Sequence, residues 1–172
     1  MLFRSDSMPP WAPVLATTAT ANRRVTDDIA GQLGADTAVI RTGLDRSSLA
    51  LSVIELPTEA ERWASIAHLI PRLAGSGIVY TLTVNDAERL AAFLVGQGLD
   101  VAPYTGATDP STRERLEAGL RSNELTALVA TSALGMGYDK PDLAFCLHLG
   151  LPASPVSYYQ QIGRAEIGRA HV

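Results

Sequence analysis

The chain has 172 residues, of which 47% are hydrophobic, with a net charge of −4 and a single cysteine. This length can bury one good core, one cysteine excludes an internal disulfide and a multi-cysteine metal site, and no apolar run is long enough to span a bilayer. The negative net charge argues against non-specific electrostatic binding of nucleic acids. It allows a protein that binds phosphates through backbone N–H and hydroxyl groups. We therefore expect a soluble protein of the cytoplasm with no membrane partner.

The amino-terminal stretch contains two short β-type runs with one helix between them. Val14–Thr18 and Asp36–Arg41 are predicted strands. The intervening RRVTDDIAGQL has its apolar residues on one helical face and ends at Gly34. Thr42–Ser48 is polar, and we place a domain boundary in this linker.

From Leu49 onward, predicted strands and helices alternate in the order β-α-β-α-β-α-β-β-α. That alternation requires an α/β fold, a mostly parallel sheet with helices on both faces. The predicted strands are Leu49–Leu56, Gly77–Thr83, Asp100–Tyr104, Thr126–Thr131 and Leu143–Leu149.

The predicted helices each carry a start signal. Thr58 and Glu61 have the spacing of a capping box, and Asn85 is the predicted cap of the next helix. Asp109 and Ser154 each precede a proline at the first helical position. Such helices follow the carboxyl ends of the strands, where open α/β sheets place their ligands.

Two segments at those strand ends carry specific motifs. The loop ATSALGMGYDKPD (Ala130–Asp142) and the segment SYYQQIGRA (Ser157–Ala165) resemble the fifth and sixth motifs of superfamily 2 helicases, and most closely those of RecQ-type DNA helicases. TTATA (Thr17–Ala21) is similar to the third motif, and VYTLT (Val79–Thr83) lies where the fourth is found. YTGATDPSTRERLEAGL (Tyr104–Leu120) also resembles a RecQ segment.

The resemblance implies a domain plan. Residues 1–41 would be the end of a first RecA-like domain, 42–48 a linker and 49–165 the second RecA-like domain. The tail EIGRAHV (residues 166–172) resembles one reading frame of a sequencing adapter, so we expect it to be non-native, the alternative being a genuine chain with an inserted residue pair. The intact protein would be an ATP-dependent helicase that moves 3′ to 5′ along single-stranded DNA in repair and recombination. It would use ATP with Mg²⁺ and bind single-stranded and duplex DNA, with the first RecA-like domain in cis.

The same resemblance implies which residues meet the nucleotide. Arg164 would supply charge to the γ-phosphate. Gln160, one turn earlier, would orient Arg164 or contact phosphate, and Gly163 belongs to the same motif. Asp139 and Gly137 would lie at the nucleotide from the preceding loop. The alternatives are a solvent-exposed helical arginine for Arg164, and turn chemistry in front of the Lys-Pro pair for Asp139.

Hydroxyl groups and glycines at the strand ends are the candidate DNA contacts, because a backbone without intervening side chains can approach a phosphate closely. The alternatives are a strand-end aromatic in the core for the tyrosine, and β-propensity and capping for the third-motif threonines. The candidates are Thr131, Ser132, Gly135, Tyr104, Thr105, Gly106 and, more weakly, Thr81, with Thr18 and Thr20 implied to couple the ATP site to the DNA path.

Several family features are missing from the sequence. There is no Gly-x-x-x-x-Gly-Lys-[Ser/Thr] loop and no Asp-Glu-x-His stretch, and Glu166-Ile167 follow Ala165 where the family has Gly-Arg. We therefore expect that this chain alone neither hydrolyses ATP nor unwinds DNA. Two rival interpretations stay open: an RNA helicase of the same superfamily, and a non-catalytic RecA-like domain that binds nucleic acid or regulates a partner.

Overall fold

The computed structural model describes residues 13–17, 22–34, 37–40, 49–132, 134, 140 and 142–165. The chain divides into two compact units, Met1–Asp45 and Arg46–Val172, and the division falls inside the predicted linker. In the first unit, helix α1 (Arg23–Leu33) is capped by Asn22 and followed by Gly34 at φ 109°. The predicted helix of this unit is therefore confirmed.

Three predicted strands are not formed by their described residues. Residues 13–17 and 37–40 have no regular structure, so the predictions over Val14–Thr18 and Asp36–Arg41 are wrong there. Leu49–Leu56 is also irregular, and Val53 within it is 86% exposed. A short β-prone run gains stability only by pairing and burying one face, and in the part of the chain that the structure describes these runs pair with nothing.

The second unit is built on a parallel sheet of four strands, in the order β2-β3-β1-β4. This confirms the predicted α/β class, although the strand expected before the first helix is missing from the observed order. The strands are β1 (Ser76–Thr81), β2 (Val101–Tyr104), β3 (Ala127–Ala130) and β4 (Leu143–Leu149). The helices are α2 (Glu59–Leu69), α3 (Val84–Gly96), α4 (Pro110–Arg121) and α5 (Pro155–Ile162), with 3₁₀ turns at Ile70–Arg72 and Gly163–Ala165.

Both faces of the sheet are covered, which explains why the strands read as continuous apolar runs. On one face, Val79, Val129 and Phe145 pack in one core cluster with Leu90 and Leu94 of α3. On the opposite face, the core cluster contains Ile78, Tyr80, Leu128, Leu116 and Leu120. Helix α5 lies on this second face, through contacts described below.

Three of the four predicted helix caps of this unit are confirmed and one is corrected. Thr58 forms a reciprocal capping box with α2, and Asp109 and Ser154 cap α4 and α5. The cap of α3 is Thr83 rather than Asn85, because β1 ends at Thr81 and the Thr83 hydroxyl accepts the N–H of Asp86 at 3.1 Å.

Candidate functional site

The register of the sheet brings three threonines to one edge. Tyr104, Ala130 and Tyr80 are aligned across β2, β3 and β1. The next residues along these strands are Thr105, Thr131 and Thr81, which are 3%, 9% and 5% exposed. Parallel strands end at a common edge, so three hydroxyl side chains that are far apart in sequence lie on neighbouring strands at that edge.

The partners of these hydroxyls lie mostly within their own loops. Thr81 Oγ1 donates to the Thr83 carbonyl at 3.2 Å, and Thr105 Oγ1 accepts the N–H of Ala107 at 3.2 Å. Ser132, one residue beyond Thr131, is exposed. Among the candidate hydroxyls, Ser132 is therefore the one most accessible to an external phosphate.

A cleft of about 170 Å³ opens at this edge between β1, β4 and α5. Thr81 and Ser132 line it from the strand ends, and Gly150 lines it directly after β4. The Gly150 φ of 99° favours glycine, as does the crowding there, since a Cβ on this residue would lie 3.0 Å from the Leu82 side chain. Ser157 and Gln161 of α5 and His148 of β4 complete the polar part of the lining.

Tyr104 belongs to the core rather than to this cleft. Its hydroxyl donates to Glu117 Oε1 at 2.6 Å, and the Arg113 guanidinium lies 5.7 Å from its ring centroid. Burial, with the Glu117 carboxylate next in weight, raises the pKa of Tyr104 to about 12. This environment favours the strand-end core interpretation over direct contact with DNA. Arg113 Nη2 also donates to the carbonyls of Thr105 and Gly106 at 3.1 and 2.8 Å, and Gly106 is exposed.

The end of α5 places the two sixth-motif side chains in different surroundings. Gln160 is exposed, whereas Arg164 and Gly163 are half-buried. The helix ends at Ile162 and continues as a 3₁₀ turn, which winds more tightly, so the one-turn relation predicted between Gln160 and Arg164 does not give them a common environment. Arg164 is also not the solvent-exposed helical arginine of the alternative interpretation.

The positive charge of Arg164 affects the pKa values of two side chains of the sheet, Tyr80 and Cys146. Burial raises the pKa of Tyr80, and Arg164 opposes that rise. Burial likewise raises the pKa of the Cys146 thiol to about 12, again opposed by Arg164. The 3₁₀ turn that contains Arg164 packs on β4. The raised pKa leaves the Cys146 thiol protonated and unreactive at neutral pH.

A histidine at a strand end is more often a satisfied structural residue, and the structure identifies the partners that satisfy His148. Its ring stacks on Tyr80 at 5.2 Å between centroids and lies 5.1 Å from the ring of Tyr158. Its Nε2 is 2.9 Å from Oε1 of Gln161. Burial lowers its pKa, and the bond to Gln161 partly offsets this. The only signal in the sequence was a histidine at a strand end ahead of a polar helix, which does not distinguish a packed residue from a functional one.

Lys140 is a second residue that the motif pattern did not explain. Its side chain is fully buried, and its Nζ donates to Asn123 Oδ1 at 3.0 Å and to Asp142 Oδ1 at 2.6 Å. Ser76 Oγ donates to the same Asn123 oxygen at 2.8 Å. These residues lie at the amino ends of β1 and β4, so Lys140 anchors the loop after β3 at the edge opposite the cleft.

Some predicted site residues lie outside the described residues, so their placement stays a prediction. They are Gly135, Gly137 and Asp139 of the fifth-motif loop, Thr18 and Thr20 of the third-motif stretch, and the tail 166–172.

The residues that the structure describes meet neither the requirements of a metal cluster nor those of a membrane-spanning helix. These residues hold no group of three or more His, Cys, Asp or Glu side chains that could bind a metal ion. No helix among them combines the length and apolar character needed to cross a membrane.

The chain is similar to known helicases. Residues 61–170 match the helicase conserved C-terminal domain, a match that extends into the predicted tail. A putative ATP-dependent DNA helicase Q1 of Caenorhabditis elegans is 40% identical over 157 residues, which cover 89% of this chain and 25% of the relative. The ATP-dependent DNA helicase RecQ of Bacillus subtilis is 34% identical over 166 residues, 96% of this chain and 27% of the relative. The chain thus spans about a quarter of the length of the curated relatives it matches.

A solved structure confirms the RecA-like fold. Saccharomyces cerevisiae Dbp5 bound to RNA and ADP BeF3 aligns with a TM-score of 0.75 at 22% identity, over 86% of this chain and 40% of that one. At this identity the likeness shows the fold alone. The fold, the family match and the relatives agree with the fifth- and sixth-motif resemblance, and the chain therefore belongs to the helicase conserved C-terminal domain family, in its RecQ-type branch.

Proposed function

We propose that this chain is the second RecA-like domain of an ATP-dependent 3′–5′ DNA helicase, supplying the arginine side of the ATP cleft and part of the single-stranded DNA track. The observation that carries the proposal is the half-buried Arg164 in the 3₁₀ turn after α5, because this turn packs on β4 and β4 is one of the strands that line the cleft at the carboxyl edge of the sheet. The relatives named ATP-dependent DNA helicases support it.

Arg164 suits the nucleotide role by its chemistry. A guanidinium is permanently charged and presents a planar fork of donors that matches phosphate oxygens. Because Arg164 is partly buried, water and salt screen its charge less than they would screen a fully exposed arginine. ATP with Mg²⁺, when bound, supplies the phosphoryl-transfer chemistry, and Arg164 would hold positive charge toward the phosphates. Gln160, which is exposed on the last turn of α5, would contact phosphate from its own position. Asp139, Gly137 and Gly163 remain proposed contributors to the same side.

The DNA track would begin at the strand ends. Ser132 is exposed and Thr81 lines the cleft, so both can meet a phosphate oxygen that approaches this edge. Contacts of this kind position a nucleic acid backbone without reading its sequence. They also suit a chain with a net charge of −4, since they need no basic patch.

Binding of a labelled single-stranded oligonucleotide, followed by fluorescence anisotropy, tests the DNA part. We expect Ser132→Ala to weaken binding roughly two- to tenfold, the worth of one hydrogen bond. Ser52→Ala is the matched control, because Ser52 is exposed in the irregular segment before α2. Equal affinities of the wild-type chain and Ser132→Ala would contradict this part of the track.

The nucleotide part is tested with a first RecA-like domain from a RecQ-type relative, added in trans. We expect the mixture to bind a fluorescent ATP analogue more tightly than either domain alone, and Arg164→Ala to weaken that binding about tenfold or more, as for a hydrogen bond to a charged group. The exposed Arg115 gives the control, Arg115→Ala. DNA-stimulated, metal-dependent ATP turnover by the wild-type chain alone would overturn the proposal that it holds one half of the site.

The two rival functions predict different results in the same assays. An RNA helicase would prefer a single-stranded RNA of the same sequence, and the RNA-bound structural neighbour does not favour it because that likeness shows only the fold. A non-catalytic binding domain would bind DNA in a salt-dependent manner with no effect of a supplied first domain on nucleotide affinity.

A further inference from the structure

His148 is held on three sides at the cleft. Its ring lies between Tyr80 of β1 and Tyr158 of α5, with a nearly parallel stack (20°) on Tyr80 and a tilted contact (56°) with Tyr158. Its Nε2 meets the side-chain oxygen of Gln161 at 2.9 Å. An amide oxygen only accepts hydrogen bonds, so the proton of this bond belongs to Nε2.

Gln161 is tied to β4 twice. Its side chain accepts from His148, and its backbone carbonyl accepts from the Cys146 thiol at 3.4 Å. His148 and Cys146 are alternate residues of one strand, so they point to the same face of the sheet. The last turn of α5 is therefore fixed to the strand by two side chains rather than by apolar packing alone.

Arg164 follows this fixed point within three residues. Gly163–Ala165 form a 3₁₀ turn directly after α5, and this turn packs on β4, the strand that carries His148 and Cys146. The direction of the arginine thus depends on where the Gln161 turn is held.

We propose that His148, through its hydrogen bond to Gln161, is a positioning residue that sets the orientation of Arg164 in the 3₁₀ turn after α5. The consequence for nucleotide binding rests on the proposed function, but the orientation itself does not. A purely space-filling His148 would need only its ring; a positioning His148 needs the Nε2–H donor as well.

Three variants separate these two roles. His148→Phe keeps an aromatic ring between the tyrosines and removes the donor. Gln161→Met removes the acceptor and leaves the histidine in place. His148→Gln restores an N–H donor on a side chain of similar reach, and His68→Phe is the control, because His68 is exposed on α2.

The readout is the Nε–Hε signal of Arg164 in ¹⁵N-labelled full-length chain, assigned by its loss in Arg164→Lys. We expect a heteronuclear NOE near the backbone value in the wild-type chain and in His68→Phe, falling by half or more in His148→Phe and in Gln161→Met. His148→Gln should recover part of it, and the double variant His148→Phe/Gln161→Met should match the single ones.

An unchanged Arg164 NOE in folded His148→Phe would overturn the proposal. If His148→Phe fails to fold, Gln161→Met decides, because it alters a half-buried helix residue and removes no ring from the stack. The measurement uses no nucleotide. Suppose that the NOE of Arg164 falls as expected in the variants, but Arg164→Ala does not change binding of the fluorescent ATP analogue. This pair of results would refute the proposed function and leave the positioning role of His148 intact.

Discussion

Nε2 of His148 lies 2.9 Å from Oε1 of Gln161, and this bond joins the carboxyl end of β4 to the last turn of α5. The two residues are separated by a loop and most of a helix in the sequence, and only the packing of α5 on the sheet brings them together. The bond needs a donor at Nε2, and burial keeps the ring neutral by lowering its pKa.

The stability of the chain should therefore fall as pH drops below 6.5, the usual pKa of histidine. Between the lowered pKa of His148 in the folded chain and its usual pKa in the unfolded chain, the histidine is protonated in the unfolded chain and neutral in the folded one. The free energy of unfolding therefore rises with pH in this window. The contribution is fully present above pH 6.5 and declines until the lowered folded pKa is passed. Tyr80 and Cys146 stay protonated throughout, because burial raises both pKa values. Urea unfolding between pH 5 and 7.5 measures this dependence of the unfolding free energy on pH. In His148→Phe the unfolding free energy should change less with pH than in the wild-type chain. An equal change in both proteins would assign the effect to other groups.

Replacing Lys140 should destabilise the domain. Its fully buried ammonium donates to Asn123 and Asp142, and loss of hydrogen bonds from a charged donor costs about 1–3 kcal/mol. We expect Lys140→Met to lower the free energy of unfolding by that amount in urea. Arg115→Met, at an exposed position of α4, should change it by less than about 0.5 kcal/mol. An unchanged free energy of unfolding in Lys140→Met would contradict this, because it would mean that apolar packing of the methionine side chain compensates for the lost hydrogen bonds.

Two glycine substitutions should have opposite signs. A Cβ at Gly77 would overlap the ring of Phe145, its register partner on β4, so Gly77→Ala should cost about 1–3 kcal/mol by overpacking. A Cβ at Gly96, the last residue of α3, meets nothing within 4 Å, so Gly96→Ala should gain about 0.5–1 kcal/mol. Urea midpoints measure both, and adding Phe145→Leu to Gly77→Ala should recover part of the loss if the ring is the cause.

Tyr104→Phe tests the core interpretation of that residue. It removes the hydroxyl that donates to Glu117 and keeps the ring, so we expect a loss of about 0.5–1.5 kcal/mol in unfolding free energy. Affinity for the single-stranded oligonucleotide should stay at the wild-type value. Weaker DNA binding at unchanged stability would instead return Tyr104 to the DNA track.

The sequence predicted local elements well where the signal was local. The proline after Ser154 and the capping box of Thr58 each identified a helix start that the structure confirms. The alternation of apolar residues in Leu49–Leu56 predicted a strand that is not formed. β-Propensity only makes a segment compatible with a strand, and the strand forms when the segment pairs with a neighbouring strand. The cap at Asn85 was wrong because the end of β1 two residues earlier left Thr83 with the extended backbone that a cap needs.

By itself, the sequence determined the α/β class of the main unit, because the period of the apolar residues is a local property of consecutive residues. The resemblance of its two motifs to those of RecQ-type helicases indicated the family. It also nominated Arg164 and the hydroxyls at the strand ends. Only the tertiary structure decided that Tyr104 is a core residue, that Lys140 is a buried anchor and that His148 meets Gln161. Each of these depends on strand order and helix packing, which join residues far apart in the chain and which no local pattern encodes.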